Sequence, residues 1–141
     1  MEIDFLERSD AIEECYEFLL GYAAQGLPSD QGSPAGREVR NHLEHARDAL
    51  SGLSGSCQLA IREHELTPSE KYDAFCSMLE RDAKNSLVAV ELVLAQPAIS
   101  SQLIDNLNAS SHVRTLLTDL FLFGEILRTR LKAAVVVEER S

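Results

Sequence analysis

Apolar residues recur three and four apart through four long stretches of the chain, the spacing of amphipathic helices, and nowhere alternate for long enough to make a strand. The first stretch begins at Asp4 or Ser9 and runs to Ala24, with Ile12, Cys15, Tyr16, Leu19, Tyr22 and Ala23 on one face. Gly26-Leu27-Pro28 ends it, and the turn formers of residues 25–34 predict a flexible linker. The second helix is predicted from Ser33-Pro34, Ser as N-cap and Pro at the first helical position, to Glu65. Its seam, Val39, Leu43, Ala46, Leu50, Leu53, Cys57 and Ala60, steps alternately by four and three, the heptad spacing of antiparallel helix packing.

Thr67-Pro68-Ser69-Glu70 has the form of a capping box opening a third helix, with Thr67 as the cap. Tyr72, Cys76, Leu79, Ala83, Leu87, Val90 and Val93 form its seam, and Pro97 closes it. A short helix is expected from Ser101 to Asn108. A fourth long one follows from Ser110 or Ser111 towards Glu139, with Val113, Leu116, Leu120, Gly124, Leu127, Leu131 and Ala134 inward. Three helices of similar length, roughly 40 Å each at 1.5 Å per residue, with a tight turn between two of them, predict antiparallel neighbours. The expected fold is all-α, an up-down antiparallel four-helix bundle in a single domain over residues 1–141, with an extra short helix near 101–108. Mirroring the second and third helices about residues 65–67 brings Cys57 and Cys76 to one level, with Cys15 within reach of that end.

Two runs break the amphipathic pattern. Leu120, Phe121, Leu122 and Phe123 are consecutive, so they cover every side of their helix and require burial on more than one face. Phe5-Leu6, the short helix or a second copy of the chain can supply it; a homodimer through Leu117, Phe121, Leu122 and Phe123 is the expected arrangement. In the second helix, Leu50-Ser51-Gly52-Leu53-Ser54-Gly55-Ser56 puts poor helix formers in an interior. That marks a bend, a close helix contact or a ligand pocket, which would be lined by Gly52, Ser56, Tyr72, Phe75 and Met78.

The formal charge of −10 and pI of about 4.8 argue against nucleic acid or an anionic membrane as partner, because such a surface repels phosphate. The acidic start of the chain carries no basic segment followed by an apolar one, so no leader is expected and the cytoplasm is the predicted compartment. Three irregularly spaced cysteines do not form a secreted disulfide framework, and buried free thiols are expected.

Glu38, His42 and His45 lie within two turns of the second helix, and His112 is expected at the same end of the bundle. Imidazole and carboxylate side chains converging there would suit a metal-dependent enzyme. The pattern is off, since Glu38 precedes His42 by four positions and no second helix carries Glu-x-x-His. Arg37 and Arg40 each stand five residues before a histidine, a pairing suited to phosphate chemistry, which the acidic chain disfavours. Glu13, Glu14 and Glu17 are expected to face water. With no specific nucleophile, phosphate loop or metal motif, the expected function is protein–protein binding as an adaptor, accessory or regulatory subunit. No cofactor is expected, and the partners are a second copy and an unidentified protein.

Overall fold

The computed structural model describes residues 4–140, and these form an all-helical fold: α1 (Asp4–Ala24), α2 (Pro34–Ser51), α3 (Leu53–Glu63), α4 (Ser69–Leu94), α5 (Ser101–Ala109) and α6 (Ser111–Arg140). Side-chain pairings fix the directions. Phe18 meets His42 while Arg8 meets Asp48, so α1 and α2 are antiparallel. Arg40 reaches Leu94 and Cys57 meets Cys76, so α2 and α3 run opposite to α4. Ser86 bonds to His112 and Phe75 stacks on Phe123, so α4 and α6 are antiparallel. α5 packs on α1 and α6. No described helix is long and apolar enough to cross a membrane.

The heptad seam of the second stretch is buried throughout, Val39 to Ala60. The stretch is nonetheless not one helix to Glu65: Gly52 separates α2 from α3. Two causes combine. The serines and glycines hold a helix weakly, and the Arg8 guanidinium occupies the space a side chain at Gly52 would fill, 2.5 Å from an ideal Cβ. From there Arg8 donates to the carbonyls of Asp48 (3.0 Å) and Ala49 (3.4 Å), a cation on the negative end of α2. The break is a bend that leaves the seam in register.

At Thr67-Pro68 the capping box does not form. Pro68 sits at the cap position with extended backbone (φ −74°, ψ 131°), no side chain caps α4, and Thr67 lies outside the helix. Elsewhere Ser33 and Ser100 cap α2 and α5 through their hydroxyls, accepting from Gly36 and Leu103.

The segment 25–34, marked by its composition as a linker, is tied to residues 96–101. Buried Asp30 accepts from the Ile99 N–H (2.6 Å) with one carboxylate oxygen and from Arg40 Nε (2.6 Å) with the other. Arg40 also donates to the carbonyls of Leu94 (3.2 Å) and Gln96 (2.9 Å), closing the C-terminus of α4. Tyr22 donates to the Ile99 carbonyl, Ser101 Oγ donates to the Tyr22 carbonyl and accepts from the Leu27 N–H, and the Ser101 N–H donates to the Leu27 carbonyl. Gly36 leaves room for this loop: a Cβ there would run into the Asp30 carbonyl.

Candidate functional site

Along the contact between α4 and α6, aromatic and charged side chains gather beneath an open surface. Tyr72 and Phe75 are three apart on α4, and Phe123, Ile126 and Arg130 follow one another on one side of α6, so each set shares a face. Phe123 is the hub, 1 % exposed. Phe5 of α1 meets it edge-on (centroids 4.9 Å, 88°), Tyr72 likewise (6.3 Å, 71°), and Phe75 stacks on it (5.3 Å, 21°). Over these rings lies a groove of about 280 Å³ whose walls are Thr67, Pro68, Lys71, Tyr72, Phe75, Phe123, Ile126 and Arg130. Of the candidate pocket residues, Tyr72 and Phe75 line this groove, and a separate cleft of about 220 Å³ lies beside the glycine-serine run at Leu50, Ser51 and Ser54. Gly52 is filled by Arg8, Ser56 is buried and donates to the Leu53 carbonyl (2.8 Å), and Met78 does not line the groove.

Further along the same helix pair, Asp82 of α4 and Asp119 of α6 face each other. Asp119 is 5 % exposed, and one oxygen of each carboxyl is buried with no hydrogen-bond partner. Burial, and then the hydrogen bond and charge of Asp82, push the Asp119 pKa up to about 7. Below about pH 7 the Asp119 carboxyl is therefore favoured in its neutral form. A carboxyl whose folded pKa lies above its ordinary 3.8 stabilises the fold fully below that value and loses the contribution as pH rises to about 7. Wild-type stability is therefore expected to fall by on the order of 2 kcal/mol between pH 5 and pH 8 through this pair. Asp119→Asn, whose amide donates to Asp82 at either pH, removes that slope. Urea unfolding of both proteins at the two pH values checks it; equal slopes would contradict the raised Asp119 carboxyl.

The candidate metal ligands are not gathered into one group among the described residues. His42 stacks on Phe18 (centroids 4.3 Å, 17°), half-buried between α1 and α2. Glu38, His45 and His112 are exposed, and among the described residues no three His, Cys, Asp or Glu side chains form a metal-holding group. Arg40, the arginine paired in sequence with His45, is spent on Asp30 and the end of α4.

The expected interface set divides. Leu117 and Phe123 are buried, with Phe123 covered by Phe5 of α1 and by Tyr72 and Phe75 of α4, so they are not available to a partner. Phe121 and Leu122 are 57 % and 54 % exposed. Cys57 and Cys76 do meet, with Sγ atoms 3.1 Å apart, and all three cysteines are free and buried. Cys15 does not join them; it lines a small cavity of about 30 Å³ in the apolar core, beside Leu43, Leu50 and Val90. Burial pushes the Cys15 thiol up to about 12, and the contact with Cys76, with burial, raises Cys57 as well. The same contact holds the Cys76 thiol below its ordinary value, and all three thiols pack in the core.

Pattern reading missed the carboxyl pair and the two cations of the groove. Asp119 carries a local signal, an acid inside Leu116-Leu117-Thr118-Asp119-Leu120-Phe121 on the side that meets α4, but its partner lies on another helix. No protein-family model, curated protein or solved structure matches this chain.

Proposed function

We propose that this protein is a small cytoplasmic binding protein, an adaptor or regulatory subunit, that works as a homodimer through α6. In this reading the chain is an up-down four-helix bundle, with α2 and α3 counting as one bent helix and α5 as the short addition. The observation that carries it is the exposed apolar surface of α6: Phe121, Leu122, Val135 and Val136 are all large and exposed. At 100° per residue, Phe121, Leu122, Glu125, Lys132 and Val136 lie on the outward half of the helix, with Val135 at its margin. From Lys132 to Val136 every residue is exposed, so α6 runs past the body that covers its first half.

A second copy fits this stripe. Two α6 helices paired antiparallel about a two-fold axis between residues 128 and 129 bring Phe121 of one copy opposite Val136 of the other. Leu122 then meets Val135, and Glu125 meets Lys132, so apolar and charged positions both match. The acidic exterior and the three reduced, buried thiols support a protein partner in the cytoplasm over nucleic acid or membrane. The metal-enzyme reading has no converging ligand set among the described residues to support it.

The test is a charge exchange read by sedimentation equilibrium. Glu125→Lys sets lysine against lysine at both ends of the pairing and is expected to weaken the dimer several-fold. Adding Lys132→Glu restores it. Phe121→Glu with Leu122→Glu is expected to abolish it, while Leu20→Glu, at a comparably exposed position on α1, leaves it intact. A dimer indifferent to all α6 changes would overturn the assignment.

A further inference from the structure

We propose that the groove between the start of α4 and the middle of α6 is a binding site for a small aromatic carboxylic acid, its ring on Tyr72 and Phe75 above the buried Phe123 and its carboxylate between Lys71 and Arg130. The chain carries a net charge of −10, yet no acid lines this groove, and its two charged walls are both basic. Neither cation forms an ion pair with a described residue. Arg130 makes one long hydrogen bond, 3.5 Å to the Thr67 carbonyl, which leaves the rest of its fork free. A planar guanidinium beside an ammonium suits a carboxylate.

Depth and chemistry follow the pattern of ligand sites, an apolar floor with a few polar groups at the rim. Phe123 is buried, Tyr72, Phe75 and Ile126 are half-buried, and Thr67, Lys71 and Arg130 are exposed. The floor is aromatic, so a flat ring gains offset or edge-on contacts with the half-buried rings of Tyr72 and Phe75, which Phe123 backs from below. A volume of about 280 Å³ holds one ring and a short acidic arm. The site does not require self-association, since its floor and both cations come from one chain.

The probe is 4-fluorophenylacetate, titrated into the full chain and followed by fluorine NMR. Saturable binding with a millimolar or tighter Kd is expected for a ligand of this size. 4-Fluorophenethylamine, with the same ring and the opposite charge, is expected to bind at least tenfold more weakly. Lys71→Gln with Arg130→Gln, both at exposed positions, is expected to keep the helical circular dichroism and raise the Kd for the acid at least tenfold. Rising salt weakens the acid's binding as the charges are screened. Equal binding of acid and amine, an unchanged Kd in the double variant, or no saturation up to about 20 mM, a range where so weak a contact is no site, would overturn the proposal.

Discussion

Phe123→Ala is expected to destabilise the protein by about 4 kcal/mol, the usual range for removing a buried aromatic ring, whereas Phe121→Ala, two residues away, should cost less than about 1 kcal/mol. Both are phenylalanines on α6, and only the rotation of the helix separates them. At position 123 the ring is 1 % exposed and holds Phe5, Tyr72 and Phe75 together, so three elements lose contacts at once. At position 121 the ring is 57 % exposed and stands on the outward face. For a chain of this length the first substitution corresponds to a Tm lower by roughly 10 °C or more. Paired thermal and urea unfolding of the two variants, at a concentration low enough to keep the chain monomeric, measures the contrast. Equal losses would mean that α6 is rotated from the position described.

Asp30→Ala is expected to lower stability by about 3 kcal/mol, although the residue sits in a loop whose composition suggests tolerance. Asp30 is 7 % exposed and satisfies two donors, the Ile99 N–H and Arg40. Removing it leaves a backbone donor buried without a partner and frees a guanidinium that also closes the end of α4. Asp30→Asn keeps an acceptor for Ile99 and recovers part of the loss. Burial alone would raise the Asp30 carboxyl, but the hydrogen bonds from Arg40 and Ile99 outweigh it and hold the pKa below its ordinary 3.8. A lowered carboxyl stabilises the fold above its ordinary pKa and loses that contribution as pH falls through the folded value. Its window therefore lies in acid, below that of the Asp82–Asp119 pair, whose contribution is lost on the way up to about pH 7. By contrast Asp4, paired with Arg8 at the surface, should lose no more than about 0.5 kcal/mol on replacement by alanine.

These two cases divide what periodicity reveals from what it does not. The three-four spacing identified the buried seam of α2 and α3 and, on α4, Cys76, Leu79, Ala83, Val90 and Val93, with Tyr72 and Leu87 only half-buried, because a helix turns by a fixed angle and one face must leave water. It also brought Cys57 and Cys76 to one level, since a short turn fixes the register of two antiparallel helices. It could not assign Phe121 and Phe123 to different environments. A run of four apolar residues has no preferred face, and the covering side chain, Phe5, lies far away in sequence. Asp30 was unreadable for the same reason: its partner at Ile99 is 69 residues distant. The break at Gly52 had a local sign in its serines and glycines, but the arginine that fills it comes from α1. His42, beside the seam in sequence, meets its partner Phe18 on another helix, a contact periodicity cannot show.

Sedimentation equilibrium of the wild-type chain across a hundredfold range of concentration bears most directly on the proposal that α6 joins two copies. The pairing of Phe121 with Val136 and Leu122 with Val135 predicts a mass that approaches twice 15.6 kDa as concentration rises. A mass that stays at 15.6 kDa throughout would contradict the homodimer and leave the outer face of α6 to a different protein.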